Sequence, residues 1–164
     1  MSTPAPASLS LDGLDLTTEA RDHKAFGIHH RHVATASSLV ALAERFRAAG
    51  YILEMVSGED RRGDLGSLRV AYTFNRIPGL LGATGGVERH LVVVAVELGG
   101  TLPSLCGVYR AANWMEREVF DMYGVRFADH PQLERILLPD DADFHALLKD
   151  FGKMEPASGE GEGE

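Results

Sequence analysis

Three carboxylates, Glu116, Glu118 and Asp121, crowd one short stretch that also carries Arg117 and the only tryptophan, Trp114. General acid–base chemistry needs two carboxylates in environments different enough to separate their pKa values. A carboxylate metal centre built on helices adds a Glu-x-x-His pair. Residues 114–123 contain no histidine, and the nearest, His130, lies beyond Gly124. The charges therefore read as a solvated or partner-facing edge, since structural ion networks commonly produce such clusters.

A second group with chemical potential is His23, His29, His30 and His32, interleaved with Arg21, Lys24 and Arg31. Zinc sites pair such histidines with Cys or carboxylates at fixed offsets, and no second pair follows at the usual spacing. Phe26, Ile28 and Val33 make residues 25–33 an expected edge strand with its polar residues outward. Cys106 is the only cysteine. It excludes an internal disulfide, falls short of the roughly four thiolates of an iron–sulfur cluster, and reads as a small buried filler. Gly79, Gly82, Gly85 and Gly86 precede a strand rather than Gly-Lys-Ser/Thr or a helix, so they describe a hairpin loop and not a phosphate cradle. Asp140, Asp141 and Asp143 lack the Gly and Glu spacing of a calcium loop.

The elements that must position these residues follow from periodicity. Met115, Val119 and Met122 form a helical stripe over residues 114–123. Asn113 is the expected N-cap, with Glu116 completing a capping box, and Gly124 ends the helix. Glu118 and Asp121 share one face of it, and Arg117 and Asp121 stand four apart, the spacing of a surface ion pair. Leu39, Leu42, Ala43 and Phe46 mark a longer helix over 35–49. Strands are expected over 51–56, 68–75 and 90–98, with a polar turn at 57–64. Pro103 and Ser104 start a short helical turn, Val125 and Phe127 lie in an extended segment, and 132–138 forms a helical turn stopped by Pro139. The fold class is α+β. A mixed, mostly antiparallel sheet of about four strands carries the long helix and the charged helix. Residues 1–20 read as a mobile arm or one that docks on a partner, 21–139 as the domain, and 140–164 as an acidic extension ending in low-complexity Gly-Glu repeats.

Composition narrows the function classes. The chain has 164 residues, 45% hydrophobic and 24% charged, with net charge −8. That charge argues against nucleic-acid binding. No apolar run is long enough to span a membrane, and the N-terminus has no signal-type pattern. A cytoplasmic protein that meets a membrane only through partners is expected.

Glu116-Arg117-Glu118, Asp121, Gly124, Phe127, His130-Pro131, Leu133 and Arg135-Ile136-Leu137 together resemble the signature of the respiratory complex I 30 kDa subunit family, in bacteria the C subunit of NADH-quinone oxidoreductase. The resemblance extends more loosely upstream to about Val33. The related subunit of energy-converting nickel-iron hydrogenases is similar. The resemblance implies a non-catalytic structural subunit in the peripheral arm of a proton-translocating NADH-quinone oxidoreductase, at the cytoplasmic face of the cell membrane. It implies no cofactor or metal in this chain, with FMN and iron–sulfur clusters, or nickel-iron, on other subunits. The implied partners are the quinone-site subunit, which resembles a hydrogenase large subunit, and a cluster-bearing subunit. The signature residues, with Lys149 and Asp150, would then serve assembly and interface geometry. Family members usually continue with Pro-Leu-Arg-Lys-Asp, whereas this chain has Ala146-Leu147-Leu148-Lys149-Asp150. That departure counts toward the hydrogenase-type relative. A remote third reading is a metal-dependent hydrolase using His23 to His32 with Asp140 to Asp143.

Overall fold

The computed structural model describes residues 8–83 and 85–152. The first residues and the Gly-Glu repeats of the acidic extension therefore lie outside the described residues. The chain runs β1 (Leu16–Ala20), α1 (His23–Phe26), β2 (His30–Ala34), α2 (Ala36–Ala48), β3 (Ile52–Arg61), α3 (Arg62–Leu65) and β4 (Ser67–Arg76). After a 3-10 turn at Leu80–Gly82 follow β5 (Glu88–Val96), β6 (Thr101–Pro103), α4 (Ala112–Tyr123) and β7 (Arg126–Ala128).

The main sheet has five strands in the order β1-β2-β5-β4-β3. Only β2 and β5 run parallel; the other pairings are antiparallel. A second, two-stranded parallel sheet joins β6 to β7. The α+β class and the mostly antiparallel sheet agree with the sequence reading, but the strand count rises from about four to five plus two. The extra main strand comes from the supposed N-terminal arm. Leu16–Ala20 pairs along its whole length with β2. Leu9, Leu11, Leu14 and Leu16 pack against the core, and the backbone N–H of Asp15 donates to Ser38 Oγ at 3.1 Å. β2 is consequently an interior strand and not an edge.

The core is one cluster between the sheet and its helices. α2 buries Leu39, Leu42, Ala43 and Phe46, the stripe read from periodicity. They meet Tyr72 and Phe74 of β4, Val92 and Val94 of β5, and Leu53 and Val56 of β3. α4 lies across β3 and adds Val119, with Val125 and Phe127 beyond it. The expected polar turn at 57–64 is instead the second half of β3 leading into α3. Gly58 lies under the ring of Tyr123, where a Cβ would stand 2.3 Å from Tyr123 Cδ2. The absence of a side chain there lets α4 approach the strand. Among the described residues no helix is long and apolar enough to cross a membrane.

Candidate functional site

α4 carries the charged motif, and its two acidic residues with the sharpest sequence signal face inward. Glu116 and Asp121 are both 0% exposed. They do not form the solvated edge the sequence suggested. Ala111, not Asn113, is the N-cap, without a side-chain bond, and Glu116 does not complete a capping box. Its Oε1 accepts the backbone N–H of Leu105 at 2.7 Å, and its Oε2 accepts the Ser104 hydroxyl at 2.6 Å. Those donors lie in the turn after β6, so Glu116 pins that turn to the helix. Burial pushes the Glu116 carboxyl above the usual range, against the pull of its donors.

His130 completes this cluster from the far side. Its Nε2 lies 4.0 Å from Glu116 Oε2, and Cys106 Sγ donates to the same oxygen at 3.6 Å. Ligand atoms of Cys106, Glu116 and His130 all fall within 4.8 Å of one another. Hydrogen bonding nevertheless commits the imidazole elsewhere. Nε2 donates to the Asn113 carbonyl at 3.1 Å, and Nδ1 accepts the Gln132 N–H at 3.0 Å. With one nitrogen protonated and the other occupied, the ring is a brace between α4 and the 130s loop and not a metal ligand.

Asp121 anchors residues 135–138. Its Oδ2 accepts three successive backbone N–H groups, Ile136 at 3.1 Å, Leu137 at 2.8 Å and Leu138 at 3.0 Å. Its Oδ1 accepts Arg135 Nη1 at 2.6 Å. Burial raises this carboxyl, but the N–H groups of Leu138 and Leu137, the Arg135 guanidinium and the Ile136 N–H outweigh it and bring it down to about 2. The expected helical turn at 132–138 does not form, because these N–H groups turn onto one carboxylate oxygen instead of onto carbonyls a turn earlier. Arg135 Nη2 extends the knot to the carbonyls of Ala142 and Phe144, at 2.7 and 3.2 Å. Gly124, at φ 75°, ends α4 with His145 so close that a Cβ would stand 2.7 Å from its Nε2.

Arg117 does not pair with Asp121. It donates to the carbonyls of Glu134 and Arg135 and lies over the Trp114 ring, 5.1 Å from the centroid. Further on, the Lys149 N–H donates to buried Asp60 of β3 at 2.9 Å, and Asp150 pairs with Arg62 at 2.7 Å. Hydrogen bonding from Arg62 holds the Asp60 carboxyl well below the usual range. Phe127 is buried, Leu133 half-buried against the core, and Glu118 and Pro131 are exposed. The motif thus divides into two buried knots and an exposed remainder.

A model of the family described as respiratory-chain NADH dehydrogenase, 30 Kd subunit, matches residues 28–157. The chain belongs to this family. The J subunit of NAD(P)H-quinone oxidoreductase from a Synechococcus species is 32% identical over 142 residues, covering 83% of this chain and 80% of that protein. The C subunit of NADH-quinone oxidoreductase from Paramagnetospirillum magneticum is 50% identical over 64 residues, covering 39% of this chain and 32% of that protein. The chain thus matches about a third of that longer relative. Solved structures share the fold, among them the two that follow. The trypsin-resistant fragment of Nqo5 superimposes with a TM-score of 0.58 at 24% identity, covering 72% of this chain and 89% of that one. A chain of the membrane-bound sulfane sulfur reductase, an archaeal respiratory membrane complex, gives 0.69 at 16% identity, covering 85% and 78%.

The 30 kDa fold brings together a second polar cluster that the sequence reading missed. β2 sets His30 and His32 on one face, and β5 sets Glu88 and His90 beside them, with His30 in register with His90. His32 Nε2 bonds His90 Nδ1 at 2.9 Å, and His32 Nδ1 bonds Thr18 Oγ1 of β1 at 2.9 Å. Burial, and then the neighbouring His30, bring His32 down to about 4. Burial lowers His90 as well. Tyr51 donates to Glu88 Oε2 at 2.6 Å, and Arg76 binds the same oxygen. The signal available in the sequence was Glu88-x-His90 at strand spacing, matching His30-x-His32. His23 lies apart on α1, stacked on His29 at 4.2 Å. Among the described residues, Asp140, Asp141 and Asp143 join no group of potential ligands, so they do not meet His23 to His32 as the hydrolase reading expected.

Proposed function

We propose that this chain is a non-catalytic structural subunit of the peripheral arm of a proton-translocating NADH-quinone oxidoreductase. It carries no flavin, iron–sulfur or nickel-iron centre of its own. The assembled complex passes electrons from NADH to quinone at the cytoplasmic face of the cell membrane. The observation that carries the reading is the inward commitment of the charged motif. Glu116 and Asp121 are occupied by donors of the same chain, so they shape a surface instead of reacting at one. Trp114 and Leu137 are 66% and 63% exposed, and Glu118 is exposed on the same helix as Trp114. Large exposed apolar side chains suit a partner subunit. The partners proposed are the quinone-site subunit that resembles a hydrogenase large subunit and a cluster-bearing subunit.

A second reading, the equivalent subunit of an energy-converting nickel-iron hydrogenase, is favoured by residues 146–150, where Ala146 and Leu148 replace the family's usual Pro and Arg. The test is to retrieve the membrane complex through a tag on this chain and to measure nickel, iron and NADH oxidation. Iron without nickel, in a complex that oxidises NADH, supports the first reading. About one nickel per complex moves the assignment to the second. A tagged chain recovered alone after mild extraction overturns both.

A further inference from the structure

We propose that His30, Glu88 and His90 form a three-ligand binding site for a zinc-class divalent cation, located where β2 meets β5. The proposal stands apart from the family role, which assigns no metal to this chain, and the ion envisaged is redox-silent.

His30, Glu88 and His90 each offer one ligand atom, and these atoms all lie within 4.8 Å of one another. Glu88 Oε1 lies 3.4 Å from His30 Nε2 and 3.2 Å from His90 Nε2. Those spacings match the edge of a tetrahedron with bonds of about 2.0–2.1 Å, which is roughly 3.3 Å. Two imidazoles and one carboxylate are the donor set zinc takes when a fourth position is left to water.

The supporting groups are also in place. Glu88 keeps Oε1 for the ion because Tyr51 and Arg76 both engage Oε2. Metal-binding carboxylates and imidazoles are ordinarily held by such outer partners. His90 is oriented through Nδ1 by His32, and His32 in turn by Thr18. The line of bonds can run in either direction. Without an ion, the Thr18 hydroxyl donates to His32, His32 to His90 and His90 to Glu88. With an ion on His90 Nε2, His90 donates from Nδ1 to His32, and His32 donates from Nδ1 to Thr18. Both rings remain neutral, the hydroxyl changes from donor to acceptor, and no buried group is orphaned. The ion has a path in, since the His30 side chain is 35% and the Glu88 side chain 25% exposed.

The rival cluster at Cys106, Glu116 and His130 offers no such freedom, because a carbonyl that only accepts and an N–H that only donates fix the His130 tautomer and occupy both nitrogens.

The test uses the full-length chain without a histidine tag. The protein is equilibrated with zinc chloride against a competing chelator, and bound metal is counted by elemental analysis. One zinc per chain is expected. Cobalt(II) should substitute with the visible absorption of a four-coordinate nitrogen–oxygen site. His30→Ala and Glu88→Gln alter partly exposed side chains and should keep the wild-type circular dichroism. Each should lose stoichiometric zinc and the cobalt spectrum. Thr18→Val, two hydrogen bonds out from the ligand His90, should weaken zinc by about tenfold. His145→Ala is the control and should bind as wild type does. Absence of stoichiometric zinc from the wild type overturns the proposal. So does a folded His30→Ala or Glu88→Gln protein that binds as tightly as wild type.

Discussion

Replacing Asp121 by asparagine tests how the C-terminal third of the domain is held. The carboxyl lies near 2 in the fold, against an ordinary value of 3.8. The difference corresponds to about 2–3 kcal/mol of stability at neutral pH. The residue is fully buried, so solvent screening takes little from that figure. Because the folded pKa is depressed, the stabilisation is complete above about pH 5. It declines as pH falls through the ordinary carboxyl value and is gone below about 2. Asp121→Asn keeps an acceptor for the three N–H groups but withdraws the charge opposite Arg135. It should lose about 2–3 kcal/mol at pH 7. Asp121→Ala orphans the N–H groups and the guanidinium together and should lose about 3–5 kcal/mol. The assay is urea denaturation of wild type, Asp121→Asn, Arg135→Met and the double variant, at several pH values from 7 down to 3. The double variant should be less destabilised than the sum of the singles. The gap between wild type and Asp121→Asn should narrow as the solution is acidified. A loss below about 1 kcal/mol at pH 7, or a gap independent of pH, refutes the account.

Glu116 should respond with the opposite sign. Its folded pKa is raised, so its contribution is fullest below the ordinary carboxyl value and falls as pH rises through the folded one. Glu116→Gln, which retains both an acceptor and a polar partner for Ser104, should flatten that part of the stability–pH curve measured by denaturation. Gly58→Ala should lose about 1–3 kcal/mol by driving a methyl into Tyr123, and Tyr123→Ala should recover part of the loss in the double variant. Tyr72 buries a hydroxyl that has no hydrogen-bond partner among the described residues. Tyr72→Phe should therefore match or exceed wild-type stability, by up to about 1 kcal/mol, in thermal unfolding. Trp114→Ser combined with Glu118→Ala should leave the isolated chain folded and lower the assembled complex on native gels.

Local patterns carried much of the fold. The stripe of α2 and the alternation of β4 are short-range signals, and both elements form within a few residues of where periodicity places them. β1 gave no such signal. Leu-Thr-Thr-Glu-Ala becomes a strand only because β2 is there to pair with it. β3 read as a turn after Val56 because Glu59, Asp60 and Arg61 are polar, yet Asp60 is buried by its bonds to Arg62 and the Lys149 N–H. The burial of Glu116 and Asp121 was illegible for the same reason. Their partners are backbone N–H groups, which every sequence supplies and none advertises. The histidine cluster needed the parallel register of β2 and β5, a pairing between distant segments.

That same pairing orders events during synthesis. The histidines that meet across it are 58 residues apart in the chain. At about 5–20 residues per second, β2 leaves the ribosome roughly 3–12 seconds before β5 can reach it. In that interval the N-terminal hairpin presents an unpaired edge, and α2 has no sheet to cover. β5 arrives together with β4, as one arm of an antiparallel hairpin, and closes the sheet from its middle outward. β2 and β5 are therefore satisfied on both sides in the same step, so an early strand waits for a late one. A nascent chain stalled between Arg76 and Glu88 should be open to protease at residues 16–34, and one released past Val96 should resist it.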